Sequence, residues 1–113
     1  MRGLGNDSIF GSPGNDRLFG DEGDDLINGD DDNDEIFGGD GNDILSGGFG
    51  NDTIFAQAGN DIISGGDGND ELSGNDGNDI LTGGFGQDTL IGNGGNDTFV
   101  LAVGEGTDKM AKI

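Results

Sequence analysis

The chain has 113 residues, of which 24 are acidic and four are basic, so its formal net charge is −20. Only 29% of the residues are hydrophobic and 27 are glycine, a composition from which an ordinary globular core is difficult to build. This acidic excess argues against a nucleic-acid partner and against an anionic membrane surface, and it favours a cationic partner.

Several chemistries are excluded by residue types that the chain lacks. It has no Cys, which excludes disulfides and thiolate metal sites, and no His, the commonest general base. Serine residues are present, but without a neighbouring base they do not form a nucleophilic site. No apolar run approaches the roughly 20 residues of a membrane-spanning helix. We therefore expect a protein that is not an enzyme and has no transmembrane segment.

A nine-residue repeat begins close to the N-terminus, where Met1 to Phe10 lacks the apolar stretch of a signal peptide. Eleven Asp residues follow at intervals of nine, without insertion or deletion. The residue two positions after each Asp is apolar in all eleven repeats. Asn precedes the Asp in nine repeats, and Gly lies two residues before it in ten and five residues before it in nine. The repeat Asp residues are Asp7, Asp16, Asp25, Asp34, Asp43, Asp52, Asp61, Asp70, Asp79, Asp88 and Asp97.

This unit, G-x-x-G-N-D-x-(Ile/Leu)-x, resembles the haemolysin-type nonapeptide G-G-x-G-x-D-x-U-x of the RTX (repeats-in-toxin) family over about residues 3 to 102. The resemblance implies a calcium-binding parallel β-roll in which the repeat Asp and turn carbonyl oxygens ligate calcium between successive coils. It also implies an extracellular protein secreted by bacteria, often by a type I route with an uncleaved C-terminal signal, which suits the lack of an N-terminal signal.

The repeat itself predicts a turn followed by a very short strand. Gly and Asn reach left-handed backbone conformations with little strain, so the first six residues favour a turn. The three residues after each Asp, with an apolar residue at their centre, favour a strand. One such unit buries almost nothing, whereas stacked units bury a continuous apolar column.

An alternation between odd and even repeats predicts that two nonapeptide repeats form one coil of the solenoid. The residue directly after the Asp is apolar in repeats three, five, seven and nine but polar in the even repeats. Odd and even strands should therefore lie in two separate parallel sheets. The predicted core columns are Ile9, Ile27, Leu45, Ile63, Leu81 and Phe99 on one side, and Leu18, Ile36, Ile54, Leu72 and Leu90 on the other.

Stacking places each Asp near the Asp two repeats further along the chain, for example Asp7 near Asp25. Such carboxylates repel one another unless a divalent cation lies between them, and calcium accepts both carboxylate and carbonyl oxygens. We therefore predict that all eleven repeat Asp residues bind Ca²⁺, with up to about nine ions, although Asx-turn capping alone is the simpler alternative. The carboxylates of Asp40, Asp67 and Asp76 lie at a variable turn position and are predicted to be solvated or in the outer shell of a calcium site.

Two turns depart from the consensus. Asp32 replaces a turn Gly within the acidic run 30–34, where Asp tolerates left-handed geometry, and this run could equally be a solvated loop. An EF-hand is rejected there because Glu35 stands where that motif needs Gly. Ala56 and Gln57 replace the Gly pair of the seventh turn, which predicts a weaker site.

Two outward columns of apolar residues are predicted beside the core. They are candidate surfaces for self-association or for a protein partner, the alternative being tolerated β-forming residues shielded by their neighbours. The aliphatic column is Leu26, Ile44, Ile62 and Ile80, and the aromatic column is Phe19, Phe37 and Phe55.

The predicted organisation is a β-roll over residues 1–102 and a short C-terminal tail or partial cap over residues 103–113. Thr98 to Leu101 is expected to form a slightly longer terminal strand. The leading hypothesis is a secreted module whose folding is coupled to calcium. The alternatives are a structural or adhesive self-associating surface protein, and an accessory module of a larger secreted enzyme or toxin. An ice-binding solenoid is disfavoured because the outward Thr residues form no regular array.

Overall fold

Each repeat contributes one short strand that begins directly after its Asp. The computed structural model describes residues 5–100 and the backbone of residues 109–111. Among these residues, no helix has the length and hydrophobicity needed to cross a membrane. The strands are β1 (Ser8–Phe10), β2 (Arg17–Phe19), β3 (Leu26–Asn28), β4 (Glu35–Phe37), β5 (Ile44–Phe49), β6 (Thr53–Phe55), β7 (Ile62–Asp67), β8 (Glu71–Ser73), β9 (Ile80–Phe85), β10 (Thr89–Ile91), β11 (Thr98–Val100) and β12 (Lys109–Ala111).

The strands form two parallel sheets, one from the odd repeats and one from the even repeats. The first has the order β1-β3-β5-β7-β9-β11, and the second has the order β12-β10-β8-β6-β4-β2. Core positions pair in register across one coil, as Ile9 does with Ile27 and Ile36 with Ile54. The predicted coil of two repeats and the predicted β-solenoid with two parallel sheets are therefore confirmed.

Three odd strands are longer than the repeat alone predicts. Strands β5, β7 and β9 each have six residues, because pairing continues past the core residue into the next turn. Gly48 pairs with Gly66, and Gly66 pairs in turn with Gly84. Glycine allows this close approach of stacked backbones, so the odd strands extend where the turns that follow them, in consecutive even repeats, carry the Gly pair.

The last coil differs in length from the others. Strand β12 pairs with β10, and Thr89 lies opposite Lys109. Lys109 is further along the chain than two nonapeptide repeats after Thr89, so this coil is slightly longer than the others. Strand β12 is the sixth strand of the even sheet, and it lies within residues 103–113, the segment predicted to be a tail or partial cap. The predicted terminal strand begins at Thr98 and reaches Val100 in β11, while Leu101 lies outside the described residues.

The two apolar columns meet between the sheets and form the core. The central residues of these columns are at most 1% exposed, and Ile9 is 8% exposed. Leu18 and Phe99, at the ends of their columns, are only partly buried because no further coil covers one side. Both predicted columns are confirmed as the apolar interior, and this interior is only one side chain wide on each sheet.

The outward columns are also present. Leu26, Ile44, Ile62 and Ile80 follow one another on the odd sheet and are 40–50% exposed. On the even sheet, the rings of Phe19 and Phe37 stack with centroids 4.8 Å apart, and those of Phe37 and Phe55 stack at 5.3 Å. Their proposed role as docking surfaces stays a prediction.

Some shielding of the aromatic column is visible at its first end. The Arg17 guanidinium lies 5.6 Å from the ring centre of Phe19 and 5.8 Å from that of Phe37. Its Nε is also 2.7 Å from Oε1 of Glu35, so this cation is shared between a carboxylate and two rings. Phe37 is half-buried as a result of its position between two rings, whereas Phe19 remains 42% exposed.

Truncation of a core residue should destabilise the calcium-loaded protein much more than the same truncation outside the core. Ile54→Ala removes a side chain that is 0% exposed, and we expect a loss of about 2–5 kcal/mol in the free energy of unfolding. Ile62→Ala is the matched control, because Ile62 is 49% exposed, and its loss should stay below about 1 kcal/mol. Guanidinium unfolding in saturating calcium measures both, and equal losses would contradict this assignment of the core.

Candidate metal centre

The repeat Asp residues form two columns, and from Asp25 onwards each carboxylate reaches back to the coil before it. Oδ1 of Asp25 accepts a hydrogen bond from the backbone N–H of Asp7 at 2.8 Å. The same contact recurs at every step along both columns, up to Oδ1 of Asp97, which accepts from the N–H of Asp79 at 2.9 Å. The predicted proximity of Asp residues two repeats apart is therefore confirmed, and one oxygen of each carboxylate is used in fixing the register.

The other carboxylate oxygen, Oδ2, is buried and accepts no hydrogen bond in most of these residues. The interior Asp side chains are as inaccessible as the apolar core, at 1–2% exposure. An ionised oxygen in such a place is costly unless something positive or a hydrogen-bond donor faces it. The residues concerned are Asp7, Asp16, Asp25, Asp34, Asp43, Asp52, Asp61, Asp70 and Asp79.

Burial also raises the pKa of these carboxyls above the usual value of 3.8. Burial raises the pKa of Asp61 to about 8 and that of Asp70 to about 8. The backbone N–H of the preceding coil lowers these values in part, and the carboxylates of the neighbouring coils raise them again. Burial likewise raises the pKa of Asp43 to about 7 and that of Asp52 to about 6. Without a metal ion, these carboxyls therefore keep a proton up to a higher pH than an exposed Asp does.

The glycine five residues before each Asp leaves an open space beside Oδ2. These glycines have ordinary negative φ angles, so the backbone does not require glycine there. A Cβ on Gly38, however, would lie 2.7 Å from Oδ2 of Asp43 and 2.7 Å from the carbonyl oxygen of Ala56. A Cβ on Gly20 would lie 2.6 Å from Oδ2 of Asp25 and 2.6 Å from the carbonyl oxygen of Gly38. We call the space on this side of the glycine the cradle: it opens beside Oδ2 of the repeat Asp and, at Gly11, Gly20, Gly29, Gly38, Gly47 and Gly65, also beside a carbonyl oxygen of the next coil.

The glycine two residues before each Asp has a different role, since it adopts positive φ in every described repeat that carries it. At this position in the fourth repeat, Asp32 has φ of 77°, which confirms that Asp tolerates the left-handed turn. Its Oδ2 accepts the N–H of Gly14 at 2.7 Å, and Oδ2 of Asp30 accepts the N–H of Ser12 at 3.0 Å. The acidic run is therefore tied to the preceding coil rather than wholly solvated, although Asp31 is exposed.

Four copies of the family model for the RTX calcium-binding nonapeptide repeat match the chain, over residues 2–36, 37–72, 64–99 and 73–108. The chain belongs to the RTX calcium-binding nonapeptide repeat family. No curated protein and no solved structure gives a significant match. The family and the β-roll together identify a calcium-binding repeat module, with Ca²⁺ as its ion.

The RTX turns carry the donor set that calcium prefers. Among the described residues, no group of three or more acidic side chains converges closely enough to hold a metal ion by itself. Backbone oxygens must therefore complete a site, and in six of the nine turns that carry this glycine the cradle places a carbonyl oxygen beside Oδ2. The lack of a side chain at Gly20 or Gly38 leaves both oxygens uncovered, and carboxylate and carbonyl oxygens are the ligands that calcium accepts. The residues present thus fit calcium.

A second ladder in the RTX turns was not anticipated. Oδ1 of the Asn before each repeat Asp accepts the backbone N–H of the equivalent residue one coil later, as Asn33 does for Asn51 at 2.7 Å. Asp24 performs the same task for Asn42 at 2.8 Å. The turns of successive coils are not joined by strand pairing at this position, and this ladder provides the hydrogen bonds between them. The occurrence of Asn in nine of eleven repeats was the signal, because a turn alone would not require one residue type so consistently.

The predicted accessory carboxylates lie apart from both ladders. Asp40, Asp67 and Asp76 are exposed at the turn surface, as expected for solvated groups. In the seventh turn, Gln57 has φ of 74° and so keeps the left-handed conformation without glycine. Ala56 is 0% exposed and belongs to the apolar core cluster.

Proposed function

We propose that this RTX chain is a module that folds when it binds calcium through its eleven repeat Asp residues and the turn carbonyl oxygens between successive coils. The observation that carries the proposal is the set of buried Oδ2 atoms, from Asp7 to Asp79, that accept no hydrogen bond and most of which lie beside a cradle. A purely structural role explains Oδ1, which accepts a hydrogen bond from the preceding coil, but it leaves the burial of Oδ2 without compensation. Bound calcium would supply positive charge and remove the repulsion between stacked carboxylates.

The number of ions follows from the pairing of turns. The odd column contains six repeat Asp residues and the even column contains five. Sites between neighbouring turns then number at most nine, five in the odd column and four in the even column. Asp7, Asp16 and Asp97 stand at the ends of their columns and are less buried than the interior residues. Sites at these ends are the least enclosed and should bind most weakly.

The proposed setting is extracellular and bacterial, because RTX repeats are typical of secreted bacterial proteins. Extracellular calcium modules commonly have dissociation constants of about 10⁻⁴–10⁻³ M. With affinities in that range the chain would stay unfolded in a low-calcium cytosol and fold after export. The role is binding or structural rather than catalytic, in keeping with a family of calcium-binding repeats.

Removal of one repeat carboxylate should reduce calcium binding, whereas removal of an exposed turn carboxylate should not. Asp52→Asn keeps the size and the Oδ1 acceptor but removes the charge of a residue that is 1% exposed. We expect the number of calcium ions per chain to fall by one or two, because Asp52 belongs to two proposed sites, one shared with Asp34 and one with Asp70. Equilibrium dialysis in saturating calcium measures this number. Asp67→Asn removes the same charge from an exposed position and should leave the number unchanged.

These two variants also separate ligation from a general charge effect. If both lowered the number of bound ions equally, calcium would be bound by the net negative field of the chain rather than by the columns. If neither did, and the wild-type chain still bound calcium, the repeat Asp residues would not be the ligands. Circular dichroism in calcium checks that each variant retains its strands.

A further inference from the structure

The seventh turn departs from all other described turns at the cradle. In nine repeats the residue five before the Asp is glycine, and every one of these glycines faces Oδ2 of its own Asp. The seventh repeat has Ala56 at this position, with Asp61 as its repeat Asp. Because the backbone of the glycines has an ordinary φ, the lack of a side chain, rather than conformational freedom, is what this position provides elsewhere.

The backbone of the seventh turn follows the same path as the others. The N–H of Ala56 donates to the carbonyl oxygen of Ser73 at 2.9 Å, as the N–H of Gly38 donates to that of Phe55 at 2.8 Å. Asp61 also keeps the ladder, since its Oδ1 accepts the N–H of Asp43 at 2.7 Å. With the main chain and the carboxylate in their usual places, the Ala56 methyl group is directed into the space that is open in the other turns.

A methyl group in this position covers Oδ2 on the side that glycine leaves open to a cation. Carbon and oxygen atoms that are not bonded require more than about 3 Å, whereas calcium must approach an oxygen to about 2.3–2.6 Å. The methyl group would therefore obstruct the approach of calcium to Oδ2 of Asp61. Ala56 is fully buried within the apolar cluster, so its methyl group replaces polar coordination by apolar packing.

We propose that Ala56 closes one calcium site, the one between the turns that carry Asp61 and Asp79, and so interrupts the odd column while the even column stays continuous. This inference rests on the proposed function. It lowers the greatest number of ions from nine to eight and divides the odd column into a segment before the seventh turn and a shorter one after it. The middle of the odd column is then held together by apolar packing and the Asp ladder, without a metal ion.

The test is a count of bound calcium in three variants of the full chain, by equilibrium dialysis at saturating calcium. Ala56→Gly reopens the cradle and should add one ion per chain. Ala58→Gly removes a methyl group from the same turn at a position outside the cradle, so it should leave the count unchanged. Gly65→Ala makes the reverse change beside Asp70, where a Cβ would lie 2.5 Å from Oδ2, and should remove one ion.

The outcomes separate this inference from the proposed function. A wild-type chain that binds no calcium would overturn both. A wild-type chain that binds calcium, with an Ala56→Gly variant that binds the same number, would overturn the interrupted column and leave calcium binding intact. If Gly65→Ala does not fold, the calcium count of Ala56→Gly is sufficient to test the closed site. If Ala58→Gly bound as many additional calcium ions as Ala56→Gly, the assignment of the closed site to the Ala56 methyl group would be contradicted.

Discussion

Metal-free protein at pH 7.5 is expected to give the far-UV circular dichroism of a disordered chain, and to gain strand signal cooperatively as calcium is added. The reason is the cost of the buried carboxyls. The pKa values of Asp61 and Asp70 are about 8 against the usual 3.8, so ionisation of these carboxyls as the pH rises towards 7.5 destabilises the folded chain. Five further repeat Asp residues also have raised pKa values, so this cost recurs along both columns. Typical domains have only about 5–15 kcal/mol of stability with which to offset such costs.

Magnesium is the control in this titration. It requires a smaller octahedral shell of oxygens and releases its water reluctantly, so sites built from repeat carboxylates and backbone carbonyl oxygens suit it less well than calcium. We expect little strand signal with magnesium at the concentration that folds the chain with calcium. A metal-free chain that already shows full strand signal at pH 7.5 would refute the coupling of folding to calcium, even if calcium binds to it afterwards.

Acidification should act on the metal-free protein in the direction opposite to ordinary acid denaturation. The buried carboxyls have folded-state pKa values above 3.8, so the folded chain holds more protons than the unfolded chain between about pH 4 and 8. Stability therefore falls as the pH rises through this window and is regained as the pH falls. We expect circular dichroism of the metal-free chain to show more strand at pH 4 than at pH 7.5. The measurement needs dilute protein, because protonation also removes the net charge that keeps chains apart.

Calcium should reverse the sign of this dependence, because protons and calcium would compete for the carboxylate oxygens that we propose as ligands. The calcium concentration at the folding midpoint should therefore increase as the pH falls from 7.5 to 5. Asp70→Asn supplies a neutral buried side chain at any pH, so its metal-free form should gain strand signal at a higher pH than the wild type. Asp76→Asn removes one exposed charge and should shift that midpoint less. A metal-free chain that remains disordered at pH 4 would show that carboxylate burial is not the barrier to folding.

The architecture could be predicted from the sequence because it depends on a period. Leu26 and Arg17 occupy the same place in successive repeats, yet one is apolar and the other is charged. A difference that recurs every second repeat assigns odd and even strands to different sheets, and the core residue two positions after each Asp then follows from strand alternation. The same period predicted that Asp25 lies beside Asp7, which the ladder confirms.

The details that depend on how closely two coils approach could not be predicted in this way. The six-residue strands β5, β7 and β9 exist because Gly48 and Gly66 lie opposite each other one coil apart. The Asn ladder likewise joins residues two repeats apart, such as Asn33 and Asn51. Strand β12 was missed because its coil is longer than two repeats, which removes it from the nine-residue series.

The sequence by itself determined the repeat, the two-sheet solenoid, the core and the identity of the repeat Asp residues, because each of these follows from spacing along the chain. Only the tertiary structure decided what each atom of those residues does. It divided the carboxylate into a hydrogen-bonded Oδ1 and a buried Oδ2, and it gave the two turn glycines separate tasks, one of backbone conformation and one of empty space. The reason is physical: coordination and steric exclusion depend on distances of a few ångströms between coils, which residue spacing does not specify.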